Sequence, residues 1–178
     1  MTNELMLMGK AKLSEVIFAT GITFITGVPD SAFRDLITEL ENTEMNRKYV
    51  PATREDNAIS LAVGASLAGE RPLVFMESSG LGNAIDALTS LAIVYGIPIV
   101  LFIAWAGYKG RDVPHHNAIG EHLSSLLASL DIRTFCVSLG APGESLAETM
   151  MEAAACAESV NKPVAILGIP KELSDETR

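Results

Sequence analysis

Cysteine is scarce in this chain of 178 residues: only Cys136 and Cys156 occur, the first in an expected strand and the second in an expected helix. Both have apolar neighbours, they make no disulfide framework, and they suit a reducing cytosol. Positive charge is the minority sign. There are 13 Lys and Arg against 22 Asp and Glu, giving a formal net charge of −9 at pH 7, and the cations form no run. Nucleic acid and anionic membrane surfaces are therefore poor partners for it. The first ten residues, MTNELMLMGK, lack a positive region followed by an apolar core and do not read as a secretory leader. Phosphate-cradling signatures are missing as well. There is no GxxxxGK[ST], and Gly80-Leu81-Gly82-Asn83-Ala84-Ile85 lacks the third glycine of a dinucleotide fingerprint.

One long hydrophobic run is present and calls for a decision. Residues 87–108 contain no charge, so a hydropathy window reads them as a membrane span. Gly96 and Pro98 break the run, and the half beyond them is rich in Ile and Val. A helix end followed by a central parallel strand explains this better, since strands buried on both faces read as continuous apolar runs. The mean hydropathy of +0.29 adds that part of the apolar surface is covered by another chain.

Strand and helix alternate along the rest. Residues 10–20 carry apolar side chains at helical spacing, stopped by Gly21, and residues 22–26 read as the first strand. Gly27-Val28-Pro29-Asp30-Ser31 is its exit loop, with Asp30 or Ser31 capping a helix that buries Phe33, Leu36, Ile37 and Leu40. Tyr49-Val50 marks a short second strand. Thr53 is expected to cap a helix over 55–67 whose stripe is Ala58, Leu61, Ala62 and Ala65. Residues 73–104 then read as strand, small-residue turn, helix and strand, a βαβ unit with parallel strands and a right-handed crossover. A polar loop over 105–117 follows, then a helix over 120–130, a strand over 133–137, a helix over 144–161 and a strand over 163–167. Residues 1–9 and 171–178 are tails. The whole is a single α/β domain, a three-layer sandwich around a mostly parallel six-stranded sheet.

Open sheets of this kind bind ligands beyond the carboxyl ends of their strands. Three features face that edge. Glu55 opens a helix just past a strand end; the plain reading is an acid favoured by the helix dipole. The turn Ser79-Gly80-Leu81-Gly82-Asn83 ends the third strand, and its glycines let a ligand approach the backbone. The 105–117 loop carries Lys109, Arg111, His115 and His116, where the plain reading of the two cations is a solvated loop. Zinc is disfavoured at His115, His116 and His122, because adjacent histidines point apart and no partner stands at ligand spacing. A proton donor or substrate holder suits the histidine pair better.

Taken in order, Gly27-Val28-Pro29, Arg54-Glu55-Asp56-Asn57-Ala58 with Ala62 and Gly64, Ser79-Gly80-Leu81-Gly82-Asn83, Ile119-Gly120 and Lys162-Pro163-Val164 form a series. It resembles the pyrimidine-binding domain of the thiamine diphosphate-dependent decarboxylases, in the branch of the sulfopyruvate and phosphonopyruvate decarboxylases. The resemblance runs from about Leu13 to Leu173. It implies that Glu55 hydrogen-bonds the cofactor's aminopyrimidine ring and favours the imino tautomer that activates the thiazolium carbon. A 2-oxo acid is then attacked, CO₂ leaves and an aldehyde is released. Pro29 and the 79–83 turn would contact the cofactor, Ser31 would face substrate, and His115 and His116 would line the site. Relatives hold the diphosphate and Mg²⁺ through a Gly-Asp-Gly motif in another domain, which this sequence lacks. The resemblance thus implies a beta subunit that carries that domain, in a cytoplasmic hetero-oligomer acting on 3-sulfopyruvate or phosphonopyruvate. Two departures stand out. Glu77-Ser78 replaces a common Gln-Asn, and Ala106-Gly107 replaces a common Arg-Gly, so that, if that arginine binds the substrate's acid group, either Lys109 or Arg111 takes its place or the substrate differs. An assembly or regulatory subunit that keeps the fold without chemistry is the alternative, and it would have no need of Glu55.

Overall fold

The computed structural model describes residues 12–42, 48–139 and 143–170, with the side chains of 143 and 144 left out. Strands with apolar side chains on both faces can only sit between two helical layers, and this is the arrangement found. Six strands, β1 (Phe24–Gly27), β2 (Tyr49–Pro51), β3 (Pro72–Glu77), β4 (Val100–Ala104), β5 (Arg133–Ser138) and β6 (Val164–Ile169), form one sheet in the order β2-β1-β3-β4-β6-β5. Every pairing is parallel. The sheet expected to be mostly parallel is wholly so.

Alternation along the central strands assigns the two cores. Val74 and Met76 of β3 and Leu101 and Ile103 of β4 point to α3 (Glu55–Leu67), α4 (Leu81–Ala87) and α6 (Leu123–Ser129). Leu73, Phe75, Val100 and Phe102 point the other way, to α1 (Leu13–Ala19), α2 (Arg34–Glu41) and α7 (Gly143–Val160). Phe75 anchors that second core: Phe33 lies 5.0 Å from it and Tyr49 6.0 Å, centroid to centroid. Gly27 is required on β1 because a Cβ there would collide with the Phe75 ring and carbonyl.

Several local expectations are corrected. Thr53 does not cap α3; Arg54 occupies the cap position in extended conformation without a side-chain capping bond, its Nε donating instead to Asp56 Oδ1 at 3.1 Å, and the Thr53 hydroxyl donates to Asn57 Oδ1 at 3.1 Å. On α3 the buried side chains are Ala58, Ile59, Ala62 and Val63, while Leu61 is exposed. Asp30 does cap, its carboxylate accepting from the Ala32 N–H at 2.8 Å, but what it caps is one 3₁₀ turn (Ser31–Phe33) ahead of α2. The turn after β3 is shorter than expected: Ser78–Gly80 form a 3₁₀ turn and Leu81, Gly82 and Asn83 already belong to α4. Beyond α4 the helix widens into a π segment, Leu88–Ile93. There the Thr89 and Ser90 hydroxyls donate to the Ile85 and Asp86 carbonyls, a side-chain competition that bends helices. The expected 105–117 loop is cut short by α5 (Pro114–Gly120), so His115 and His116 are helical. The expected helix over 120–130 is α6 alone, and the tails 1–9 and 171–178 lie outside the described residues.

Both cysteines are free, Cys136 exposed and Cys156 partly buried. Among the described residues no helix is long and apolar enough to cross a membrane. The large apolar side chains left exposed include Leu67, Val94 and Tyr95.

Candidate active site

The order of strand addition reverses at β1, with β2 on one side of it and β3 on the other, while all three strands stay parallel. Such switch points open a crevice at the carboxyl ends of the strands. Glu55 enters it as the first residue of α3, half-buried. Its position follows from β2, which is tied to β1 down to the Ala52 N–H, a donor to the Gly27 carbonyl at 2.9 Å. Asn83 Nδ2, from the first turn of α4, donates to Glu55 Oε2 at 2.9 Å. The carboxylate lies against the backbone of Gly80, where an added Cβ would come within 2.6 Å of Oε1. Among the described residues no donor reaches Oε1. One oxygen is thus oriented and the other is left for a ligand.

A second acidic cluster sits beyond β3 and β4. Glu77, last residue of β3, accepts through Oε1 from the Ser79 N–H at 3.1 Å and from the Ser78 hydroxyl at 3.2 Å. Its Oε2 stands 3.5 Å from His116 Nε2. On the other side of the ring, Asp112 Oδ2 stands 3.1 Å from His116 Nδ1. That approach lies off the ring N–H direction, so Nδ1 is buried beside Asp112 without an aligned hydrogen bond. Asp112 is itself fixed: Val113 N–H donates to Oδ1 at 2.7 Å and Gly107 N–H to Oδ2 at 3.0 Å. These bonds, the Val113 N–H foremost, hold its carboxyl below the usual carboxylate range, with His116 adding to the effect.

The histidine helix is held by close backbone approach. Gly107 has a φ of 75°, and a Cβ on it would run into the His116 carbonyl; a Cβ on Gly120 would run into the Ala106 carbonyl. The Trp105 indole N–H donates to the Gly120 carbonyl at 2.8 Å. Glu77, Asp112, Ala32, Ala104, Trp105, Ala106, Leu139 and Pro170 enclose a cleft of about 340 Å³.

The sequence-derived candidates are distributed unevenly around it. Glu55, Gly80 and Asn83 come together as one unit. Ser79 serves through its backbone N–H; Gly82 is exposed on α4, and the Leu81 side chain is fully buried in the core. His116 joins Glu77 and Asp112, whereas His115 is exposed and only packs edge-on against it at 4.3 Å between centroids. Pro29 and Ser31 border a neighbouring shallow groove with Arg34, and Ala32 takes the place expected of Ser31 in the cleft. Lys109 and Arg111 are exposed and do not line the cleft; the Lys109 ammonium lies 5.3 Å from the Tyr108 ring centroid. Glu77 and Asp112 escaped the sequence reading as functional residues. The available signal was an acid at the last position of a buried strand.

Residues 8–125 match the family described as thiamine pyrophosphate enzyme, N-terminal TPP binding domain. The chain belongs to that family. Among its curated relatives, the sulfopyruvate decarboxylase subunit alpha of Methanococcus maripaludis is 31% identical over 153 residues, which are 86% of this chain and 89% of that protein. The Methanocaldococcus jannaschii protein of the same name is 31% identical over 72% of this chain and 76% of its own length. A phosphonopyruvate decarboxylase of Streptomyces viridochromogenes is 34% identical over 71% of this chain but only 32% of its own. In fold, the chain matches a thiamine diphosphate-dependent 4-hydroxybenzoylformate decarboxylase of Rhodococcus jostii with a TM-score of 0.63 at 24% identity, covering 91% of this chain and 30% of that one.

For a thiamine pyrophosphate enzyme domain, the Glu55 site fits the aminopyrimidine end of the cofactor. It has an oriented carboxylate with one oxygen lacking a donor, packed on Gly80 where a methyl group would displace it. Among the described residues no group of three or more His, Cys, Asp or Glu is placed to hold a metal ion.

Proposed function

We propose that this chain is the pyrimidine-binding alpha subunit of a two-chain, thiamine diphosphate-dependent 2-oxo acid decarboxylase. The observation that carries the reading is the Glu55 carboxylate, oriented by Asn83 and seated on Gly80 at the switch point of the sheet. When bound, the cofactor supplies the nucleophilic carbon and the electron sink for loss of CO₂. Glu55 holds a proton between its carboxylate and the pyrimidine ring nitrogen, and Asn83 fixes which oxygen faces the ring. Pro29 and Ser79 to Asn83 form the wall on which the ring rests, and the absence of a side chain at Gly80 lets Glu55 pack against that wall. His116, between Glu77 and Asp112, is the proton-carrying group at the substrate cleft, with His115 beside it. Ser31 borders the approach.

Mg²⁺ and the diphosphate belong to a beta subunit, and the active site forms where the two chains meet. Exposed Leu67, Val94 and Tyr95 and the positive mean hydropathy support cover by another chain. The relatives' names make 3-sulfopyruvate, giving sulfoacetaldehyde and CO₂, the reaction to assay first, with phosphonopyruvate second.

The test is turnover by the chain co-purified with its native partner. Glu55→Gln keeps the Asn83 contact but removes the acid, and CO₂ release is expected to fall by ~10²-fold or more. Full turnover by that variant would leave an idle assembly subunit as the reading.

A further inference from the structure

The wall that this chain gives to the substrate cleft is acidic. Glu77 and Asp112 both border it, and among its described lining residues none is Lys or Arg. His116 lies between the two carboxylates. Whether or not it carries a proton, the three groups sum to a charge of −1 or −2. The remaining wall is apolar, from Trp105, Leu139 and Ala106. Neither carboxylate can turn away at low cost, because Glu77 is held by Ser78 and Ser79 and Asp112 by Gly107 and Val113.

We propose that Glu77 is a specificity residue. It makes this chain's side of the cleft repel anions, so a 2-oxo acid turns an uncharged face toward it. Any second acid group on the substrate is then met by a cation of the partner chain, not by Lys109. The inference rests on the decarboxylase reading and adds to it a division of charge between the two chains. Fixed like charges discriminate by repulsion, and in a partly shielded cleft the repulsion is felt over several ångströms.

The experiment uses the assembled holoenzyme and compares kcat/KM for 3-sulfopyruvate with that for pyruvate. Glu77→Gln keeps an oxygen for the Ser78 and Ser79 bonds and removes the charge. It is expected to raise the sulfopyruvate-to-pyruvate ratio on the order of tenfold, mainly through KM. The gain in that ratio on substitution should shrink with added salt, because screening weakens the repulsion that the substitution removes. Lys109→Ala should leave the KM for sulfopyruvate unchanged. A Glu77→Gln enzyme with an unaltered or lowered ratio, or a Lys109→Ala enzyme with a KM raised about tenfold, overturns the inference and leaves the decarboxylase reading standing. Absence of CO₂ from every 2-oxo acid tried overturns that reading, and the inference with it.

Discussion

At Gly80 the Glu55 side chain occupies the space that a methyl group would need. Gly80→Ala therefore pushes the Glu55 side chain aside or shifts α4. A cost of about 1–3 kcal/mol is expected, read as a lower denaturant midpoint, with a larger proportional loss of turnover in the assembled enzyme. Asp112 gives a prediction of a different kind. Its carboxyl lies below the usual range because the charged form accepts the Val113 and Gly107 N–H bonds. A depressed acid stabilises the fold fully above its unfolded value and loses that contribution as pH falls through the folded one. Melting temperature should therefore decline in acid below about pH 4, and Asp112→Asn should flatten this part of the curve. Glu55 was legible because its neighbours in the chain form a motif. Glu77 and Asp112 were not, since each acquires meaning only when β3, β4 and α5 converge on one imidazole.

Elements were legible where periodicity is strong and hidden where a single residue decides the boundary. The run of apolar residues after Pro98 announced β4 as a central strand, and its five residues are all buried. By contrast, Pro114 in a polar stretch suggested a loop, yet it stands at the start of α5, where its missing N–H is no loss. The consequence for His116 is large: on a helix clamped by Gly107 and Gly120 it is held as firmly as a strand residue. Gly120→Ala should release that clamp. Trp105 would lose its acceptor geometry, and we expect a drop in indole fluorescence polarity together with impaired turnover; unchanged emission and activity would show that α5 tolerates displacement. In the second core, Phe75→Ala should cost about 3–5 kcal/mol, because the ring joins Phe33, Tyr49 and the backbone at Gly27. Since Phe75 points away from the Glu55 face, the residual folded fraction should keep its specific activity.

On the proposed reading the molecule holds one end of a cofactor site, and the charged groups that line its share of the cleft among the described residues, Glu77 and Asp112, are both acids. Calorimetry on the isolated chain should accordingly show no Mg²⁺-dependent gain in thiamine diphosphate affinity; a stoichiometric, metal-dependent complex would contradict the two-chain arrangement. The order of the sheet also bears on what can pair with its edges. At one border β2 is three residues long and ends in Pro51; at the other, β5 carries exposed Arg133. A short strand closed by an imino acid and one bearing a cation are poor templates for strand addition. Fibril growth from these borders is thereby discouraged, since neither offers an incoming strand a long, uncharged row of backbone donors and acceptors.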